Sequence, residues 1–149
     1  MSESTPYELI GREPGVRELV DRFYDYMDNE SEATGVRALH AESLRASREK
    51  LFMFLSGWLG GPDLYVQKHG HPMLRRRHLP FAIDKTMRDQ WMHCMNEALA
   101  DMPIDAALRE KLSQAFMATA DHMRNQPEYD ADEGLRIFPG PSDAQKDPQ

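Results

Sequence analysis

The sequence predicts an all-α domain, because apolar residues recur at helical spacing in four segments and no segment shows the alternation typical of a β-strand. Glycine- and proline-containing stretches separate the four segments. With 149 residues, the chain has the length of one ordinary domain and can bury a core without disulfides. We therefore expect one helical domain over residues 1–126.

The first two helices are predicted over residues 14–27 and 44–58. Pro14 favours a helix start, because its ring fixes φ and the first turn does not need its missing N–H. The apolar positions of the first helix are Val16, Leu19, Val20, Phe23, Tyr24 and Met27. The second helix places Leu44, Ser47, Leu51, Phe54, Leu55 and Trp58 on one side. Each helix thus has one face for a core.

The last two helices are predicted to start at aspartate N-caps. Asp84 can cap a helix that runs to about residue 100, and Asp105 can cap one that runs to about residue 123. Pro103 separates them. After Asn125 the composition turns to Pro, Gly, Asp and Gln, so residues 127–149 are predicted to form a disordered tail.

Residues 60–80 have poor periodicity yet carry three histidines and the run Arg75-Arg76-Arg77. We predict a loop with one helical turn before Pro80 that aims His78 from apolar surroundings. A neutral imidazole in such a setting suits an axial haem ligand, and the adjacent arginines suit the haem propionates. The residues alone leave three alternatives: a hydrogen-bonded structural His78 in a non-haem helical interaction module, a solvated arginine run, or a metal-dependent hydrolase with zinc on His69, His71 and His78.

Charge and cysteine content restrict the partners and the compartment. The formal net charge of −7 works against non-specific binding to nucleic acid or anionic lipid. No stretch approaches the roughly 20 apolar residues that cross a bilayer. Cys94 is the one cysteine and the N-terminus lacks a secretory pattern, so we expect a cytoplasmic protein.

Several short motifs follow one another along the chain. They are Gly60-Gly61-Pro62, Gly70-His71-Pro72, Arg77-His78, Pro80-Phe81, Arg88-Asp89 and Trp91-Met92-His93-Cys94-Met95, with Phe23-Tyr24 before them. In order and spacing the sequence resembles the group II truncated haemoglobins from about residue 16 to about residue 123. The resemblance implies a two-over-two helical sandwich around haem b, in which the first two helices pack against the last two. The glycine pair expected between the first helices of many truncated globins is matched only loosely, by Gly11 and Gly15.

The resemblance also implies roles for individual residues. His78 matches the proximal ligand of the iron. Residues implied on the distal, ligand-binding side are Tyr24, His40, Ser47 and Trp91. Further residues implied to contact the haem are Lys50, Leu51, Phe54, Tyr65, Arg77, Phe81 and Ile83. Of these, Lys50 and Arg77, with Tyr65 as a third candidate, are placed for the propionates.

Such a pocket binds dioxygen, carbon monoxide or nitric oxide. Two or three distal donors imply slow release of dioxygen, since each hydrogen bond contributes on the order of 1 kcal/mol. Slow release suits storage, sensing or redox chemistry. Conversion of nitric oxide to nitrate, or peroxide reduction, needs an electron donor such as a reductase, which the sequence does not encode. We expect a monomer or weak homodimer.

Overall fold

Helices make up most of the part of the chain that the structure, a computed structural model, describes: residues 4–126, 129–130 and 134–135. The helices are α1 (Pro6–Ile10), α2 (Arg12–Asn29), α3 (Thr34–Ala38), α4 (Arg45–Trp58), α5 (Leu64–His69), α6 (Leu74–His78), α7 (Lys85–Asp101) and α8 (Ala106–His122). A 3-10 turn over Ser31–Ala33 precedes α3. The prediction of an all-α fold is confirmed.

The four predicted long helices correspond to α2, α4, α7 and α8. Helix α2 starts two residues before Pro14, which therefore lies in its first turn. Both predicted aspartate caps form: the Asp84 carboxylate accepts from the backbone N–H of Met87 at 2.9 Å, and that of Asp105 accepts from Leu108 at 2.7 Å. These bonds satisfy N–H groups that a helix start leaves without partners.

Three short helices were not predicted from the sequence. In α1, Thr5 and Glu8 form a capping box, with each side chain accepting from the other's backbone N–H. Helix α3 is held by a distant residue, because the Gln90 side-chain oxygen accepts from the N–H of Val36 at 2.8 Å. Helix α5 lies inside the segment predicted as a loop, whereas α6 is the single turn expected before Pro80.

Two glycines let α1 pack closely on the rest of the protein. A Cβ atom at Gly15 would lie 1.9 Å from the carbonyl oxygen of Ile10, so this helix crossing has room only for glycine. A Cβ atom at Gly61 would lie 2.4 Å from the Tyr7 ring. Gly11, with φ of +111°, joins α1 to α2. The loosely matched pair Gly11 and Gly15 therefore forms the junction of the first two helices.

The long helices pack as two layers around one core. Helix α2 contacts both α4 and α7, and α7 contacts α8, which gives the two-over-two arrangement. Fully buried large side chains come from every long helix except α8, whose Phe116 is 2% exposed. Cys94 is buried in α7. In the described part of the chain, no helix is both long and apolar enough to cross a membrane.

Beyond α8, the structure describes one short antiparallel pair. Strand β1 (Tyr129–Asp130) pairs with β2 (Gly134–Leu135), with Tyr129 opposite Leu135. The rest of the segment predicted as a disordered tail, over 127–149, lies outside the described residues.

Candidate functional site

His78 ends helix α6 with one ring nitrogen held by the backbone. Its Nδ1 lies 2.7 Å from the carbonyl oxygen of Leu74, one turn earlier. A carbonyl only accepts hydrogen bonds, so Nδ1 carries the proton in this contact. In the neutral ring, the lone pair on Nε2 is then available for a metal.

Asn125, just beyond α8, fixes the backbone that follows His78. Its side-chain amide donates to the carbonyl oxygens of His78 at 3.2 Å and Phe81 at 2.8 Å, while its side-chain oxygen accepts from the N–H of Ile83 at 2.9 Å. The backbone N–H of Asn125 donates to the Ile83 carbonyl at 2.9 Å. One side chain therefore satisfies three backbone groups of a segment without regular structure. Sequence reasoning missed this residue.

Tyr65 links α4, α5 and α6 beside His78. Its buried ring lies 6.3 Å from that of Phe54 and 4.8 Å from that of His69, measured between centroids. The Arg77 guanidinium carbon lies 5.7 Å from the same ring, within the range of a cation–π contact. Arg77 Nε also donates to the carbonyl of Pro72 at 2.6 Å. Three residues predicted to contact the cofactor, Phe54, Tyr65 and Arg77, therefore form one cluster.

Tyr24 and His40 lie side by side, with ring centroids 5.8 Å apart in an edge-on arrangement. Burial raises the pKa of the Tyr24 phenol well above its usual value, and the charge of Arg48 and a hydrogen bond with Ser47 offset this only in part. The phenol is thus neutral near pH 7 and keeps a proton to donate. The structure brings together three of the four residues predicted on the distal side.

His40 is held in the same way as His78. Its Nδ1 lies 2.9 Å from the carbonyl oxygen of Val36, so the carbonyl binds Nδ1 and not Nε2. Burial is the main reason why the pKa of His40 lies below its ordinary value; the hydrogen bond to the Val36 carbonyl opposes this shift, and the charge of Arg37 adds to it. His40 is therefore mainly neutral near pH 7.

Trp91, the fourth predicted distal residue, connects to Tyr24 through Phe23. The Phe23 ring lies 4.8 Å from Tyr24 and 4.9 Å from Trp91. The ring centroids of Trp91 and Phe116 lie 5.9 Å apart. No acceptor among residues 4–126 bonds to its indole N–H, although the indole is a donor that usually finds a partner.

The remaining predicted contacts lie on the apolar walls and the rim. Leu51 and Phe54 are half-buried on α4, and Ile83 is buried. Phe81 is 42% exposed, and its neighbour Leu79 is 55% exposed. Lys50 is exposed on α4, next to Leu51.

The zinc alternative requires three histidines to meet, and they do not. His69 packs on Tyr65, the ring of His71 accepts from the N–H of Met73, and His78 bonds to Leu74. In the described part of the chain, the only cluster of three or more residues with metal-ligand spacing is Glu30, Glu32 and His93.

The described residues fit a haem group. One imidazole has a free ring nitrogen, exposed apolar side chains precede and follow it in the chain, and a neutral phenol and an indole N–H belong to the core of the same domain. This combination of one neutral nitrogen ligand, apolar side chains and separate hydrogen-bond donors is what a ligand-binding haem site requires.

Comparison with known proteins supports the same conclusion. Residues 5–125 match the family model for the bacterial-like globin. Group 2 truncated hemoglobin YjbI of Bacillus subtilis (strain 168) is 39% identical over 127 residues, which cover 85% of this chain and 93% of that protein.

Solved structures share this fold. The cold-adapted truncated hemoglobin from the Antarctic marine bacterium Pseudoalteromonas haloplanktis TAC125 matches with a TM-score of 0.81 and 51% identity, over 83% of this chain and 99% of that one. The group II 2-on-2 hemoglobin from the plant pathogen Agrobacterium tumefaciens matches with a TM-score of 0.82 and 44% identity, over 85% and 98% of the two chains. This chain therefore belongs to the bacterial-like globin family, as a group II truncated haemoglobin and a haem-based gas-binding protein.

Proposed function

We propose that this protein binds haem b with His78 as the proximal ligand and takes up dioxygen, carbon monoxide or nitric oxide on the opposite side. The observation that carries this proposal is the 2.7 Å hydrogen bond from His78 Nδ1 to the Leu74 carbonyl. It fixes the tautomer and the ring orientation that leave Nε2 for iron. Haem, when bound, supplies the iron at which the gas binds.

The distal residues slow the release of a polar gas ligand. Burial raises the pKa of the Tyr24 phenol, so it stays protonated and would donate a hydrogen bond to a gas ligand that carries partial negative charge. The indole N–H of Trp91 would provide a second donor, and His40 lies beside the Tyr24 ring with its Nδ1 bonded to the backbone. Ser47 hydrogen-bonds to the phenol. Slow release favours storage, sensing or redox chemistry over rapid delivery.

Arg77 is the first candidate to hold the cofactor's carboxylates. The Arg77 guanidinium uses Nε on the Pro72 carbonyl, which leaves its terminal nitrogens for a bidentate pair. Lys50 and Tyr65 are the further candidates. Leu51, Phe54, Phe81 and Ile83 keep water away from the ring faces by their apolar surface.

The ultraviolet–visible spectrum of the ferrous protein, with and without carbon monoxide, tests this proposal. We expect a sharp Soret shift in the wild type and in His71→Ala, a control that removes a neighbouring exposed histidine. His78→Ala should lose or alter the shift. Added imidazole should restore a wild-type-like spectrum to His78→Gly, because free imidazole can occupy the space of the deleted ring.

Two outcomes would contradict the proposal. Absence of any haem absorption band after reconstitution would favour a non-haem helical interaction module. An unchanged carbon monoxide spectrum in His78→Ala would show that another residue ligates the iron.

A further inference from the structure

A local excess of positive charge surrounds the proposed proximal ligand. Residues 64–83 contain Lys68, Arg75, Arg76 and Arg77 and no Asp or Glu. We call these four residues the basic patch. Since the whole chain has a formal charge of −7, the rest of the sequence carries −11. The two parts of one small domain thus differ strongly in sign.

The basic patch is not neutralised by neighbouring carboxylates. Seven arginines elsewhere in the described part of the chain form ion pairs: Arg12, Arg17, Arg22, Arg37, Arg48, Arg88 and Arg124. Over residues 4–126 no carboxylate pairs with Lys68, Arg75, Arg76 or Arg77. Arg75 instead donates to the backbone carbonyl of Arg124 at 3.2 Å. Within residues 4–126, Lys68, Arg75 and Arg76 therefore have no neutralising carboxylate, whereas Arg77 is the residue proposed to pair with the cofactor's carboxylates.

Exposed apolar side chains occur in the same segment as these charges. Met73 is 46% exposed at the start of α6, and Val66, on α5, is 40% exposed. Tyr65 ties the two helices together, because both Arg77 and His69 pack on its ring. Charged residues beside exposed apolar side chains are typical of a protein interface.

We propose that this surface docks an acidic protein that donates single electrons, which rests on the proposed haem function. The argument is charge complementarity: four exposed cations lie close to His78 in the chain, and an electron has to reach the iron that His78 would hold. A haem protein that loses one electron to dioxygen, which leaves as superoxide, or that converts nitric oxide and dioxygen to nitrate, is left ferric and must be reduced before it binds dioxygen again. One electron leaves the partner's carrier, which is oxidised, and ferric iron becomes ferrous; no bond forms or breaks.

The charge distribution favours a compact acidic protein over an extended polyanion. A membrane surface or a nucleic acid would also meet the remainder of the chain, which carries −11 and repels it. A small acidic protein can contact the basic patch alone. The opposite charges also turn the two molecules toward each other during encounter, which raises the association rate at low salt.

The test uses the haem-loaded protein and a plant-type [2Fe–2S] ferredoxin as the acidic one-electron probe. The patch variant is Arg75→Glu with Arg76→Glu, two exposed residues outside the proposed haem contacts. The matched control is Arg45→Glu with Lys111→Glu, two exposed residues on α4 and α8 that change the net charge by the same amount. Binding is measured by titration calorimetry and electron transfer by stopped-flow absorbance.

We expect the patch variant to weaken ferredoxin binding at least about tenfold at low ionic strength, and the control by less than about threefold. High salt should remove most of the wild-type affinity, since exposed charges are screened beyond roughly 8–10 Å. Reduction of the ferric protein by reduced ferredoxin should slow in parallel.

Three results would overturn the proposal: equal loss in both variants, binding that ignores salt, or no binding of the wild type to ferredoxin or to a flavodoxin. Binding to phosphatidylserine vesicles that depends on the patch, without ferredoxin binding, would assign the surface to a membrane instead. The carbon monoxide spectrum separates the two proposals. A normal spectrum with failed docking leaves the haem function standing, whereas a missing spectrum in the wild type removes both.

Discussion

The side-chain amide of Asn125 donates a hydrogen bond to the carbonyl oxygen of His78 at 3.2 Å, across 47 residues of sequence. The same side chain also holds Phe81 and Ile83. The segment after α6 has no regular backbone pairing of its own, so the end of α8 supplies it. The orientation of the proposed iron ligand therefore depends on a residue far from it in the chain.

We expect Asn125→Ala to lower the free energy of unfolding by about 1–3 kcal/mol, because it leaves three backbone groups of the His78–Ile83 stretch without their partner. Haem should also be lost faster. Asn125→Asp keeps the side-chain oxygen that accepts from Ile83 and loses both N–H donors. Its free energy of unfolding should therefore lie between those of the wild type and Asn125→Ala. Denaturant unfolding and haem transfer to an excess of apomyoglobin measure the two effects.

The matched control for this prediction is Asn29→Ala. The Asn29 amide donates one hydrogen bond, to the Asp25 carbonyl at 2.7 Å, at the exposed end of α2. Its loss should change stability by no more than about 0.5 kcal/mol. Equal effects of the two alanine variants on haem loss would contradict a positioning role for Asn125.

Tyr24→Phe should speed the dissociation of dioxygen, because the ring remains and only the donor is lost. A hydrogen bond of about 1.4 kcal/mol corresponds to about tenfold in the rate. Carbon monoxide, which is less polar when bound, should be affected less. Flash photolysis and stopped-flow replacement of dioxygen measure these rates.

Tyr26→Phe is the control for Tyr24. Tyr26 lies two residues along the same helix and its hydroxyl bonds to Asp101, away from the site. We expect wild-type dissociation rates from this variant. If both phenylalanine variants release dioxygen at the wild-type rate, the Tyr24 phenol is not a donor to the ligand.

Lowering the pH should destabilise the protein through His40. Its pKa is below 6.5 in the folded protein, mainly because of burial, so the folded state binds this proton more weakly than the unfolded chain. Above about pH 6.5 His40 is neutral in both states and does not lower the free energy of unfolding. Below that pH the unfolded chain binds the proton more tightly, so the free energy of unfolding falls as the pH falls. Urea unfolding of the haem-loaded protein at about pH 7.5 and about pH 5.5 should show a smaller loss for His40→Gln than for the wild type. If both proteins lose the same free energy of unfolding between the two pH values, a group other than His40 causes the loss of stability in acid.

Cys94 should be inert in the native protein. Burial, together with the charges of Glu30 and Glu97, raises the pKa of its thiol to about 11. Only about one thiol in a thousand is then ionised near pH 8, and the thiolate is the reactive form. Labelling with a disulfide reagent should be slow in the native state and fast in denaturant. Native labelling at the denatured rate would indicate that α7 opens readily.

The sequence predicted the long helices well because their signals are local. Asp84 and Asp105 cap the helices that follow them, and an apolar face marks each one. The capping box of Thr5 and Glu8, with Pro6 at the first helical position, is an equally local signal of a helix start. Helix α1 could therefore have been found from the sequence.

Other features could not be read locally. Helix α3 has no side-chain cap, and a bond from Val36 to Gln90, 54 residues away, holds it. The contact between Asn125 and His78 is of the same kind, since an asparagine after a helix usually reads as a turn residue. Motif resemblance supplied what periodicity could not: it singled out Tyr24 and His40 together, which the fold then brings within 5.8 Å of each other.

The seating of α1 on Gly15 and Gly61 restricts how this chain can vary. Neither position tolerates even one added carbon, since the nearest atoms would lie 1.9 Å and 2.4 Å away. A library randomised at both sites and sorted for intact folding should return glycine almost alone at position 15, where the obstacle is rigid backbone. At position 61 the obstacle is the Tyr7 ring, so a smaller residue at position 7 should rescue alanine there. Helix α1 is thus held in place because two glycines have no side chains, and a protease that cuts before Gly11 should act as a sensitive reporter of either substitution.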